Sequence, residues 1–495
     1  MRQLTSLDMQ FLALESATQV GHVGGLAILE TSTAPGGEVG CDEIRNLLRD
    51  RLPLLPPFRW RLVEVPLSLD YPYWVDDEDF DLDYHVRELA LPKPGSDAQL
   101  AAQVARIMSR PLDRKRPLWE LYVIDGLKAG HTAVLTKIHH AVIDGMSGAE
   151  IMGLLLDLSP EGRDASELPA PPEDGAQGDG TPGTAGMLAR GLMGVPRYPL
   201  RMLKSLPKAV PHIEDTPFGT LPGAGTVGRA TDRAASVIRR RPRMPRSNLT
   251  APRISFNGRI TPHRRFSFGQ MSLDEVKETK NAFGSTVNDV IVSMCAGAVR
   301  RWLIAHDELP DDPLVAQVPV SVRTEDQAGT YGNRILLMSA PLFTNIADPV
   351  ERLAAHHEAL SDMKERHKAL PAELLQDANH FIPPAVFSRA AQLTFRLASA
   401  RPGRPTWNLV ISNVPGPQLP LYMAGARLEA NYPVSVITDG MGLNITVMSY
   451  IGHLDFGLVA DRDQMPDLPK LLDWLRDELK ALREAAGLGA KKKTK

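Results

Sequence analysis

Lys137-Ile138-His139-His140-Ala141-Val142-Ile143-Asp144-Gly145 is the stretch that decides how this chain is read. The apolar run Ala133 to Ile138 before it reads as a buried strand, and the pattern from Met146 to Leu158 after it reads as a helix. Two adjacent histidines therefore sit at a strand-to-helix junction, four and five residues ahead of an Asp-Gly turn. Such a junction holds a side chain rigidly while its ring faces a cleft, which suits a general base. His140 takes that role, and Asp144 reads as an anchor that fixes the loop through an arginine. A lone histidine is more often a satisfied core or surface residue. The doubled histidine, the small or apolar spacers and the Asp-Gly turn together argue against that here.

Outward from this stretch the chain alternates α and β. Residues 1–160 form a first domain, with a helix over Leu7–Leu14, a strand over Gly24–Leu29 and a strand over Thr132–Ile138. Two further helices are expected over Leu100–Met108, with Leu100, Val104, Ile107 and Met108 on one face, and over Ala149–Leu158. Residues 161–253 read as a linker or crossover. Its opening, from 159 to 186, is rich in Pro, Gly, Ala, Asp and Glu. From Met187 to Val210 apolar and basic residues interleave, a composition that fits either an anionic membrane surface or a crossover packed on the protein. Pro196, Pro199 and Pro207 argue against one long amphipathic helix there. The run Arg239-Arg240-Arg241-Pro242-Arg243 reads as exposed linker. A second α/β domain spans 254–488. It has a helix over Val287–Leu303, strands over Leu314–Val322, Asn408–Val414, Leu443–Tyr450 and His453–Ala460, and a terminal amphipathic helix over Leu468–Leu482. Residues 489–495 form a basic tail.

Composition bounds the function. A chain of 495 residues exceeds one ordinary core, so two domains are expected. Its net charge of −3 supplies no bulk field for nucleic acid. Cys41 and Cys295 are the only cysteines, so neither a disulfide framework nor a zinc spacing is present, and a reducing cytoplasm is expected. The N-terminus carries Asp8 and Glu15 and lacks the pattern of a signal peptide. No apolar run approaches the roughly 20 residues that span a bilayer, so a soluble protein or one resting on a membrane surface is expected.

Further blocks accompany the histidines: Leu4-Thr5-Ser6-Leu7-Asp8, His22-Val23-Gly24-Gly25, Pro117-Leu118-Trp119-Glu120, the Asn288-Asp289 helix, Pro319-Val320-Ser321-Val322-Arg323 with Gly332-Asn333, and Ser412-Asn413-Val414-Pro415-Gly416-Pro417. His139-His140-Ala141-Val142-Ile143-Asp144-Gly145 matches the HHxxxDG signature of the CoA-dependent acyltransferase superfamily, which includes chloramphenicol acetyltransferase and the condensation domains of peptide synthetases. The whole set, from residue 4 to about 417, resembles the bacterial wax ester synthase/diacylglycerol acyltransferases.

The resemblance implies two chloramphenicol-acetyltransferase-like domains forming a pseudo-dimer, with the site in a channel between them. It implies direct transfer from acyl-CoA to the hydroxyl of diacylglycerol, or of a long-chain alcohol, with His140 as base. Triacylglycerol formation is the first choice. No metal and no bound cofactor are implied. A peripheral place on the inner face of the membrane or on a lipid droplet is consistent with such partners. The rivals are a related condensation-type enzyme using a carrier-bound acyl donor and a non-catalytic lipid-surface protein.

The remaining site residues follow. Asn288, beside an N-cap at Thr286 with Asp289 three residues on, either donates to the oxyanion or only helps cap its helix; the residues alone weigh both equally. His139 is expected to point away from the cleft by strand alternation. Asp144 and Gly145 shape the loop, and Arg323 is the expected partner of Asp144. Trp119 and Glu120 either order a loop near the channel or simply pack. Ser412 and Asn413 make either a turn or a channel wall. Cys295 is expected in the core, and His22 is either substrate-side or in a loop.

Overall fold

The computed structural model describes residues 2–4, 6–128, 130–143, 148–163, 183, 186–187, 251–321, 335–368 and 405–489. In the first part of the chain β1 (Arg2–Gln3) and α1 (Ser6–Leu14) precede β2 (His22–Glu30) and α2 (Cys41–Arg51). Next come β3 (Trp60–Val63), β4 (Tyr73–Asp76), α3 (Leu82–His85), β5 (Val86–Ala90), α4 (Asp97–Met108), β6 (Trp119–Asp125) and β7 (Thr132–His139). The short α5 (His140–Ile143) and α6 (Gly148–Leu155) follow. The later part contains β8 (Arg264–Ser272), α7 (Leu273–Phe283), α8 (Val287–Ala305), β9 (Leu314–Ser321), β10 (Ile335–Leu342) and α9 (Pro349–Lys368). It ends with β11 (Leu409–Val414), β12 (Tyr422–Met423), β13 (Ala426–Val434), β14 (Leu443–Tyr450), β15 (His453–Asp461) and α10 (Leu468–Ala485).

Two six-stranded sheets dominate. One runs β12-β13-β2-β7-β6-β5 and the other β10-β9-β11-β14-β15-β8, with a small sheet β1-β4-β3 beside the first. Strand β7 shows why its sequence reads as a nearly continuous apolar run. Val134 and Ile138 face the core that contains Ile44 and Leu48 of α2. Ala133 and Leu135 face the core built on Leu100, Val104, Ile107 and Met108 of α4. A strand covered on both faces loses the polar half of its alternation. In the other half α8 is the central helix: Ile291, Met294, Cys295, Ala298 and Trp302 are all buried in the largest core. Among the described residues no single helix is long and apolar enough to cross a membrane.

The chain is not divided as its linear order suggests. Strands β12 and β13 lie far inside the segment expected to form the second domain, yet they complete the first sheet. β13 pairs antiparallel with β2, placing Asn431 opposite Ala27 and Val434 opposite Gly24. Nothing in a local apolar pattern specifies which sheet a strand joins, and here the pairing itself does so. Two contacts pin this strand to the second sheet. Asp455 of β15 accepts the Asn431 N–H at 2.8 Å and the Gln270 side-chain amide at 3.0 Å. Gly457 lets β15 approach so closely that a Cβ there would collide with the Pro433 carbonyl. Elsewhere across the halves, the Arg264 guanidinium donates to Thr18 O at 2.6 Å and the Arg264 N–H to Ser109 Oγ at 3.2 Å.

Candidate active site

Strand β7 ends at His139 and the chain turns at once into α5, which begins at His140. The His140 N–H donates to Gly21 O at 2.9 Å, and the His139 N–H to Leu118 O at 2.9 Å, so the junction is held from two sides. The His140 ring lies on Phe11 of α1, with ring centroids 3.8 Å apart and planes 12° from parallel. Its Nδ1 is buried without a partner among the described residues. The residue as a whole keeps partial solvent access. Burial, aided by the neighbouring His139, pushes the His140 pKa down to about 4, so the ring is neutral at physiological pH.

His139 turns the other way and is buried. Its Nδ1 accepts the Ala141 N–H at 3.1 Å, so Nε2 carries a proton. That Nε2 lies 3.3 Å from Glu15 Oε1. Glu15 also accepts the Gly21 N–H at 3.0 Å and two Arg114 N–H groups at 3.1 and 2.7 Å. Burial alone would raise the Glu15 pKa, but His139, Arg114 and the Gly21 N–H outweigh it and bring it to about 2. His22 is neither in a loop nor substrate-side. It opens β2 opposite His139, and its Nε2 donates to Met108 O at 2.7 Å. Burial, with Lys137 nearby, depresses its pKa to about 3.

Asn288 stands in the first turn of α8. The capping box forms: the Asp289 N–H donates to Thr286 Oγ1 at 3.2 Å and the Thr286 N–H to Asp289 Oδ2 at 2.8 Å. Asp289 is buried and also accepts from His357 Nδ1 of α9 at 2.7 Å. The structure brings Asn288 and Asn413 together, the Asn413 amide donating to Asn288 Oδ1 at 3.4 Å. That leaves the donor side of the Asn288 amide uncommitted among the described residues. Ser412 is half-buried beside Asn413. Between the two sheets the Asn431 amide reaches Met152 Sδ at 3.2 Å and Met448 Sδ at 3.5 Å.

Trp119 and Glu120 are both buried in packing contacts of the first half. Trp119 belongs to the core of the first half, its indole N–H donating to Phe58 O at 2.8 Å and its ring stacked on His85. Glu120 is buried on the opposite face of β6, accepting from Lys137 Nζ at 3.1 Å and from the Tyr122 hydroxyl at 2.8 Å, with Arg87 3.3 Å away. A strand that alternates between an apolar core and a charge network explains both residues. Cys295 is core. Asp144, Gly145 and Arg323, and with them the expected Asp144–Arg323 pair, lie outside the described residues, as do 188–210 of the basic stretch.

Phe11, Glu15, Gly21 and His357 were not singled out from sequence. Phe11 lies on a short helix and Glu15 one residue past its end, and their meeting with the histidines is a long-range event. Gly21 carried a signal, since it sits one residue before a strand whose partner ends in two large rings.

Residues 4–291 match the model of the wax ester synthase/diacylglycerol acyltransferase catalytic domain, and residues 331–483 that of the WS/DGAT C-terminal domain. The O-acyltransferase WSD of Acinetobacter baylyi is 32% identical, over 97% of this chain and 96% of that one. A Mycobacterium tuberculosis protein named provisionally as a diacylglycerol O-acyltransferase is 35% identical, over 98% of this chain and 91% of that one. The solved wax ester synthase/diacylglycerol acyltransferase from Marinobacter aquaeolei VT8 superposes with a TM-score of 0.69 at 32% identity, covering 99% of this chain and 100% of that one. The first condensation domain of the calcium-dependent antibiotic synthetase shares the fold alone, with a TM-score of 0.54 at 13% identity, covering 98% and 97%.

Proposed function

This chain belongs to the wax ester synthase/diacylglycerol acyltransferase family, and on that premise we propose how its residues divide the work. The protein is an acyltransferase that forms triacylglycerol or wax ester, with acyl-CoA and an acceptor lipid as substrates. Diacylglycerol is the preferred acceptor and a fatty alcohol the second. The observation that carries the mechanism is the neutral His140 imidazole at the end of β7, held down to about 4 by burial. A base must be unprotonated when substrate arrives.

His140 removes the proton of the acceptor hydroxyl as that oxygen attacks the thioester carbon. The carbonyl π electrons move to oxygen and the tetrahedral intermediate carries the negative charge there. Asn288 donates an N–H to that oxyanion. The intermediate collapses, the C–S bond breaks, and the imidazolium returns its proton to the departing CoA thiolate. The nucleophile is the acceptor itself, so no side-chain nucleophile, metal or bound cofactor takes part. The donor side of the Asn288 amide, left open by Asn413, suits the task, because a donor must be preorganised where charge develops.

Diacylglycerol and long-chain alcohols dissolve in lipid, not in water. The protein therefore works at a lipid surface on the cytoplasmic side, either membrane or droplet, and flotation with phosphatidylglycerol vesicles tests this. The decisive assay gives purified protein palmitoyl-CoA with diacylglycerol and with hexadecanol, side by side. Triacylglycerol should form faster, and His140→Ala should abolish both products while leaving the fold intact. Equal turnover by His140→Ala overturns the assignment of the base.

A further inference from the structure

We infer that Glu15 is a positioning residue for the reaction, fixing the base His140 through Gly21 and His139; the inference rests on the reading of His140 given above. Three contacts converge on the Glu15 carboxylate from different elements. The Gly21 N–H, 3.0 Å away, belongs to the approach to β2. Arg114 comes from the loop ahead of β6, at 2.7 and 3.1 Å. His139 Nε2, at 3.3 Å, belongs to the end of β7.

Two of the three contacts, Gly21 and His139, are one link from the base. Gly21 receives Glu15 on its N–H and gives its carbonyl to the His140 N–H at 2.9 Å. His139 has Glu15 Oε1 3.3 Å from its Nε2 and with Nδ1 accepts the Ala141 N–H at 3.1 Å, just past the base. The carboxylate therefore holds the backbone on both sides of His140. Gly21 must lack a side chain, because a Cβ there would stand 2.6 Å from His139 Nε2. The surrounding charges are Arg114, with Glu64 3.6 Å beyond it, and His22 and Lys137 on β2 and β7. Glu15 acts without touching substrate. A group acting this way changes turnover and leaves substrate affinity alone.

The test compares Glu15→Ala, Glu15→Gln and Gly21→Ala with His140→Ala, all purified and checked for melting temperature. Glu15→Ala should lower kcat about tenfold or more at unchanged KM for acyl-CoA. Glu15→Gln keeps an oxygen for the Gly21 and His139 N–H groups and should recover most of that loss. Gly21→Ala alters no charge and should lower kcat by displacing His139, so the inference remains testable if Glu15→Ala does not fold. Wild-type kcat in folded Glu15→Ala, a loss confined to KM, or Glu15→Gln no better than Glu15→Ala overturns it. If His140→Ala retains activity, the assignment of the base fails instead.

Discussion

At the scale of single residues, the imidazole of His140 is neutral because it is poorly solvated. Phe11 covers one face of the ring, and no described group satisfies Nδ1, so the charged form is penalised. The free enzyme should therefore show an acid limb in kcat/KM near pH 4, well below the 6.5 of an open histidine. Phe11→Ala admits water to that face and should move the limb upward by about one unit or more; a pH–rate profile of the two proteins decides it. Asn288→Ala should reduce kcat by roughly 10² with little change in KM, as expected of a donor that meets charge only in the transition state. Of these residues, His140 and Asn288 could be singled out in sequence because each lies in a short, densely patterned block. Phe11 and Glu15 were not, because a nine-residue helix and the residue that follows it give no sign of which distant ring or turn they will cover.

At the scale of elements, the sequence was most readable where a local rule governs. The start of α8 follows from Thr286 and Asp289, whose reciprocal hydrogen bonds satisfy two otherwise unpaired N–H groups. Strand β14 runs from Leu443 to Tyr450, as its apolar alternation implies. Strand β13 was harder, since its pairing with β2 depends on residues some 400 positions away. Its fastening is local and testable. Asp455→Ala would leave the Asn431 N–H and the Gln270 amide without their buried acceptor, which costs about 1–3 kcal/mol. Thermal unfolding should register this as a lowered Tm. An unchanged Tm would mean that β13 is held by its β2 pairing alone.

At the scale of the whole molecule, acid should weaken the fold before it ionises His140. His22 is buried and its folded pKa of about 3 lies below the ordinary 6.5, so the unfolded chain takes up a proton first as pH falls. Stability is then lost progressively from about pH 6.5 downward, following the excess proton uptake of the unfolded state. Glu15 acts in a lower window. Its folded pKa of about 2 lies under the ordinary 4.5, so its contribution is present above pH 4.5 and disappears as pH falls toward 2. Melting temperatures between pH 7.5 and 4 should fall steadily, and His22→Gln should flatten the upper part of that slope. A flat wild-type curve down to pH 5 would contradict the burial assigned to His22.

The late strand in the early sheet also sets a clock for synthesis. Arg427 N–H reaches back to Thr33 Oγ1 across 394 positions, so β2 has no neighbour on that side while the intervening chain is still being made. At about 5–20 residues per second, a ribosome leaves that flank uncovered for roughly 20–80 s. An unpaired strand is a template for any passing strand, its own nascent neighbours on a polysome included. Production of this protein should thus depend on trigger factor or Hsp70-type holding during translation, and a fragment ending near residue 160 should collect in inclusion bodies however well its own core is formed.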